Sequence, residues 1–321
     1  MIRWGILSTA RINRRFIAAV RAAERSKVVS VASRTPERAA NYAHEWGIPS
    51  SHGCYQDLVD DPEVDALYIP LPNQLHAPWC VRALKAGKHV LCEKPLALSP
   101  VQVDVMARAA EQSGNVLAEA FMYRHHPRTH RVRDLVREGA IGRLRVVHGA
   151  FTFLFDRDDN FRLDPAAGGG ALWDVGCYPV SFTRYVVGEE PETVQGVSVL
   201  GESGVDMLFA GSMRFPSGVL ATFDCGFDAV FRSEMTFVGT EGRITVPMAF
   251  RPGLTADIVL EQGDESRTVV VPGFEPIFLG EVTDMERAVL DGAAQAIPIS
   301  ESRGNVDAIH RLHESARSMD R

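Results

Sequence analysis

The feature that most constrains the fold is a rhythm in the first third of the chain. Apolar runs at 2–7, 27–32, 64–69, 88–92 and 116–121 contain little polar alternation. That is the pattern of strands buried on both faces of a parallel sheet. Between them lie stretches with helical signals. Residues 13–23 carry Phe16, Ile17 and Val20 at helical spacing, and Ser99-Pro100 reads as an N-cap followed by proline at the first helical position. Strands alternating with helices predict an α/β chain with a doubly wound parallel sheet over residues 1–122.

Ligands of an open parallel sheet bind beyond the carboxyl ends of its strands. The run 88–92 stops abruptly in Glu93, Lys94 and Pro95. The proline ring restricts the backbone there, so the Lys94 amine is expected to point into the crevice. After the first strand, a dinucleotide-binding turn would show G-x-G-x-x-G, because pyrophosphate packs on bare backbone at a helix N-terminus. Here Ser8, Ala10 and Asn13 replace the glycines. Small residues still permit close approach, and the hydroxyls of Ser8 and Thr9 can donate to phosphate. The second strand ends in Ser33 and Arg34, with Arg38 one turn further on. An acidic residue at this position favours the ribose 2′-hydroxyl of NAD, whereas arginine suits the 2′-phosphate of NADP. NADP(H) is therefore preferred over NAD(H). The strand 64–69 runs into the proline-rich loop 70–76, too interrupted to continue a sheet.

The second half changes character. A run at 144–155, rich in Val and Phe, begins a series of extended stretches at 193–200, 206–215, 219–227, 233–239, 243–246, 256–261 and 266–271. Turn signals such as Phe215-Pro-Ser-Gly-Val219 join antiparallel neighbours. Helices at 281–290 and about 303–318 close the chain. Residues 123–321 thus form a second, α+β domain with a large, mostly antiparallel open sheet. The exposed side of such a sheet favours a homo-oligomer if apolar and a monomer if polar. Inside this domain, Gly168 to Gly170 permit close backbone approach, and a helix over 171–187 places Asp174 and Tyr178 four apart on one face.

Composition narrows the partners. The net charge of −7 argues against nucleic acid or an anionic membrane surface. No apolar run approaches the roughly 18 residues needed to span a bilayer. The N-terminus lacks the layout of a signal peptide, and five scattered cysteines without C-x-x-C suggest reduced thiols in a cytoplasmic protein. No metal site is expected.

Five segments carry a resemblance: Gly5-Ile-Leu-Ser-Thr-Ala-Arg-Ile12, Pro72-Asn-Gln-Leu-His76, Ala86-Gly-Lys-His-Val-Leu-Cys-Glu-Lys-Pro95, Glu119-Ala-Phe-Met-Tyr-Arg124 and Gly168-Gly-Gly-Ala-Leu-Trp-Asp-Val-Gly-Cys-Tyr178. Together and in this order they resemble the glucose-fructose oxidoreductase / inositol dehydrogenase (Gfo/Idh/MocA) family. The Ser-Thr-Ala-Arg turn, Ser33-Arg34 and the Gly-Cys-Tyr ending resemble its subgroup of NADP-dependent D-xylose 1-dehydrogenase and dimeric dihydrodiol dehydrogenase. The departure from G-x-G-x-x-G bears on cofactor affinity rather than on fold.

The resemblance implies an N-terminal Rossmann domain and an oxidoreductase that moves a hydride between nicotinamide and a hydroxyl or carbonyl carbon of a sugar or cyclic diol. Keto-sugar reduction, inositol-type polyol oxidation, and a non-catalytic NADP-binding sensor are the alternatives. It implies catalytic roles for Lys94, Asp174 and Tyr178. A neighbouring ammonium favours the phenolate, so Tyr178 is assigned the proton and Lys94 its electrostatic partner. Spacing alone leaves open which of the two carries the proton. Cofactor contacts are implied for the turn Ser8, Thr9, Ala10, Arg11 and Ile12, for Leu71, Pro72, Asn73 and His76, and for Glu93, Lys94, Pro95 and Arg124. Tyr123, Phe155, Arg162 and Trp173 are implied to line the substrate pocket. The expected assembly is a homodimer or homotetramer through the C-terminal sheet.

Overall fold

A computed structural model describes residues 1–155 and 160–319. The strand–helix rhythm becomes β1 (Ile2–Leu7), α1 (Asn13–Ala22), β2 (Ser26–Ala32), α2 (Pro36–Trp46), β3 (Ser50–His52), α3 (Tyr55–Val59), β4 (Ala66–Ile69), α4 (His76–Lys85), β5 (His89–Glu93), α5 (Pro100–Ser113) and β6 (Leu117–Ala120). The six strands form one parallel sheet in the order β3-β2-β1-β4-β5-β6. The order reverses between β1 and β4, the switch point where such sheets bind ligands. Phe16 of α1 anchors the core, stacking on Tyr68 of β4 at 3.9 Å and meeting Trp4 edge-on at 5.2 Å. Thr35 and Ser99 cap α2 and α5, each with proline at the helix start. Neither β3 nor α3 has a periodic signal long enough to be read from sequence.

After α6 (Pro127–Arg137) the chain enters β7 (Leu144–Thr152). A wide π-type turn, Leu172–Gly176, leads into α7 (Cys177–Val187). Then come β8 (Thr193–Leu200), β9 (Asp206–Arg214), β10 (Leu220–Gly226), β11 (Arg232–Gly239), β12 (Arg243–Pro247), β13 (Thr255–Gln262) and β14 (Glu265–Pro272), followed by α8 (Leu279–Asp291) and α9 (Ile299–Met319). The eight strands order as β14-β13-β12-β11-β7-β10-β9-β8, antiparallel except where β7 meets β10. An aromatic layer of Phe151, Phe182, Phe237 and Phe250 lies between this sheet and α7. The opposite face carries a shallow trough of about 610 Å³ with His148, Thr222, Asp224, Arg232 and Glu234 on its walls. Exposed Val197, Val199 and Leu220 stand on the same sheet.

The chain divides into two compact units: Met1–Met122 with Glu275–Arg303, and Tyr123–Phe274 with Gly304–Arg321. Residues 275–303, expected in the second domain, therefore group with the first unit. The contacts explain it. Arg25 forms a two-pronged pair with Asp291 at 2.8 Å, its N–H donates to Glu286, and Gln295 donates to the Leu117 carbonyl. Among the described residues no helix is long and apolar enough to cross a membrane.

Candidate functional site

In the first unit the nominated residues collect on loops beyond β1, β2, β4 and β5. Ser8 has φ of 143°, a conformation favouring glycine. The turn has thus lost the first glycine of the fingerprint and kept its backbone shape. The Ser8 Oγ accepts from the Ala10 N–H at 3.2 Å, and Asn13 Nδ2 donates to the Ser8 carbonyl at 2.8 Å. Helix α1 follows with no acidic side chain in its first turn, so its N-terminus favours an anion. Thr9 Oγ1 accepts from Arg38 Nε at 2.7 Å, which ties the turn to α2. Thr9, Thr35, Arg38 and Tyr42 belong to the wall of a cavity of about 370 Å³. Arg11 and Arg34 are exposed, Ile12 is half-buried, and Ser33 is buried with its N–H on the His52 carbonyl. A phosphate-bearing nucleotide fits this rim.

The Glu93–Lys94–Pro95 loop is held from three sides. Tyr68 OH donates to Glu93 Oε1 at 2.5 Å, the Leu96 N–H donates to Glu119 at 2.9 Å, and His76 Nδ1 lies 2.8 Å from the Pro95 carbonyl. The other His76 nitrogen lies 2.8 Å from the Leu71 carbonyl. With 0% of its surface exposed, His76 supports the rim from within rather than presenting a nitrogen to a cofactor ribose. Two carbonyls favour an imidazolium, while burial and the Lys94 ammonium oppose it. Burial is the larger effect and pushes the pKa to about 4, so the ring is neutral at pH 7 and donates to one carbonyl. Leu71, Asn73 and Pro95 are buried; Pro72 and Lys94 are half-buried.

Beside Glu93 sits a group that sequence reasoning does not nominate. Glu281 of α8 is 1% exposed, and among the described residues neither carboxyl oxygen has a hydrogen-bond partner. Burial and the charge of Glu93 hold its carboxyl well above the usual range. Nothing local in sequence could have linked positions so far apart.

In the second unit, Tyr178 is 9% exposed and packs against Tyr123, Phe151 and Phe250 at ring distances of 5.7, 5.2 and 5.3 Å. The expected helix over 171–187 is instead the π turn followed by α7, with Asp174 in the first and Tyr178 in the second. Such wide turns recur at functional sites. Arg162 Nε donates to Asp174 Oδ2 at 2.6 Å, so the nominated carboxylate is already oriented by a nominated cation. Arg124, at the exit from β6, is buried; its guanidinium lies 3.9 Å over the Tyr185 ring and donates to Ser181 Oγ. Tyr123 OH also donates to Ser181, at 2.9 Å. Phe155 is half-buried against Phe153 and Phe227. Trp173, expected to wall the pocket, is 4% exposed beside His313 and belongs to the core.

Comparison with known proteins adds to this geometry. A family model described as an oxidoreductase family with an NAD-binding Rossmann fold matches residues 2–121, and the GFO/IDH/MocA C-terminal domain matches 129–245. The chain is 37% identical to D-xylose 1-dehydrogenase (NADP(+)) 2 of Haloferax volcanii, over 98% of this chain and 97% of that one. It is 34% identical to trans-1,2-dihydrobenzene-1,2-diol dehydrogenase of Xenopus laevis, over 88% and 86%. A solved 3-ketoreductase of Actinomadura kijaniata, in complex with NADP and TDP-benzene, matches with a TM-score of 0.93 at 30% identity, over 98% and 97% of the two chains. Solved variants of that ketoreductase replace one lysine and one tyrosine. They are separated by as many positions as Lys94 and Tyr178.

Proposed function

Since this chain belongs to the GFO/IDH/MocA oxidoreductase family, we propose that it is a cytoplasmic NADP-dependent enzyme acting on a hydroxyl of a sugar or cyclic diol. Aldose 1-dehydrogenase or trans-dihydrodiol dehydrogenase chemistry leads this reading. The observation that carries the cofactor preference is the carboxyl end of β2. Ser33, Arg34 and Thr35 offer no carboxylate there, and Arg38 stands over the phosphate-binding turn on Thr9. The NADP named for the Haloferax dehydrogenase and for the ketoreductase complex supports the same preference. The ketoreductase likeness also favours a second reading, reduction of a keto-sugar.

Nicotinamide, when bound, supplies or accepts the hydride. The chain's own residues manage binding and the proton. Ser8, Thr9 and the α1 N-terminus hold the pyrophosphate, and Arg34 with Arg38 the 2′-phosphate. The Tyr178 phenol takes the proton from the substrate oxygen in oxidation and returns it in reduction, with the Lys94 ammonium as electrostatic partner. Asp174, fixed by Arg162, accepts from a second substrate hydroxyl. The enzyme works as a homo-oligomer through the open sheet face bearing Val197, Val199 and Leu220.

The test is NADPH formation by purified enzyme over a panel of pentoses, hexoses and cyclic diols, repeated with Tyr178→Phe. Turnover by the parent and a loss of at least about 100-fold in the variant are expected. Tight NADP binding without turnover on any polyol or keto-sugar would instead mark a sensor.

A further inference from the structure

We propose that Asp206 is a positioning residue for this reaction, its carboxylate clamping the turn that carries Asp174 and leads to Tyr178. The inference rests on the roles given above to those two residues. Asp206 opens β9, and its side chain is buried. Its Oδ2 accepts from the Leu172 N–H at 2.7 Å, and the Ala171 N–H donates to it as well. These amides belong to the first turn of a helical segment, where backbone donors lack partners and a negative charge is favoured.

Gly169 and Gly170 make room for this arrangement. A Cβ on Gly170 would lie 2.1 Å from Asp206 Oδ1, and one on Gly169 would lie 2.4 Å from the Arg162 carbonyl. Gly170 also has φ of 115° and donates its N–H to the Arg162 carbonyl at 2.9 Å. Arg162 then reaches forward to Asp174. Asp206 fixes where the turn starts, and Arg162 fixes the carboxylate within it.

This carboxylate is costly to keep. Burial pushes its pKa up to about 7, against the pull of the backbone donors. The titratable group it acts on is the Cys225 thiol on β10, which burial pushes up, and the nearby Asp206, Cys177, Asp224 and Asp174 push it the same way. A buried carboxylate titrating near neutrality and bonded to a site-bearing turn is the kind of group kept for activity rather than stability.

Asp206→Asn, Asp206→Ala and Gly170→Ala in the full chain, with Tyr178→Phe alongside, decide the matter. Both Asp206 variants should lose about 10- to 100-fold in kcat/KM for the sugar while binding NADPH as the parent does. The acid limb of the parent's kcat/KM profile near pH 7 should flatten in Asp206→Asn. Gly170→Ala should show a similar loss, smaller in the Asp206→Ala background because its methyl no longer meets a carboxylate. Unchanged kinetics in the Asp206 variants, with Tyr178→Phe inactive, would overturn the clamp and leave the proposed function standing. Full activity in Tyr178→Phe would sink the proposed function itself. Should the Asp206 variants not fold, hydrogen exchange in the parent decides: the Leu172 amide is expected to be protected, and rapid exchange there refutes the clamp.

Discussion

Replacing Glu281 by methionine tests whether the carboxyl behind the Lys94 loop is neutral and without partners. Glu281→Met keeps the side chain's length and removes both polar atoms. An unpartnered buried polar group costs about 1–3 kcal/mol, and a near-isosteric apolar swap less than about 1.5 kcal/mol. At acid pH the variant should match or slightly exceed the parent. Titration supplies the larger effect. The folded carboxyl holds its proton well above the ordinary 4.5 because burial and Glu93 oppose its charge. The unfolded chain binds fewer protons than the folded one throughout that window. The group's contribution is therefore fully present below about 4.5 and is lost as pH rises toward the folded pKa, at roughly 1.4 kcal/mol per pH unit. The variant escapes that loss. Its advantage should widen as pH rises from 5 to 7. Urea unfolding followed by tryptophan fluorescence reads this, because Trp4, Trp46 and Trp79 report the first unit. A gap independent of pH, or a variant less stable than the parent at pH 7, would refute the reasoning.

Three further outcomes are expected. Arg34→Asp should weaken NADP binding at least about 10-fold more than NAD binding, as isothermal titration would show; equal effects would remove Arg34 from the 2′-phosphate. His76→Leu removes the ring's hydrogen bond to one of the Leu71 and Pro95 carbonyls, so the unfolding free energy should fall by about 1–3 kcal/mol. An unchanged urea midpoint would show that His76 does not hold the rim. Light scattering should find a homo-oligomer that Val197→Lys with Leu220→Lys dissociates, whereas a monomeric parent would assign the sheet face to solvent.

Much of the first unit was legible because its strands are buried on both faces, and continuous apolar runs such as 2–7 advertise that directly. Ser99-Pro100 and Thr35-Pro36 likewise state their helix starts locally. What escaped the sequence was set by distance or by backbone geometry. The three residues of β3 are too few to show a period. The π turn has the composition of an α-helix, and its wide start is tied to Asp206, a strand residue remote in sequence. Ser8 holds a glycine-like conformation that its identity argues against. Asp174 was recognisable as a site carboxylate, and Arg162 as a pocket residue, but their pairing required the chain to fold.

The return of residues 275–303 to the first unit bears on how the protein can be made. A ribosome releases the last strand of the parallel sheet long before it releases α8, whose side chains engage Arg25 and pack along α1. Until then the nascent nucleotide-binding half displays an uncovered helix flank to chaperones and to other chains. Cutting the gene after residue 122 to obtain a minimal nucleotide-binding module would preserve that exposure permanently. A usable fragment would need the later helix spliced back on.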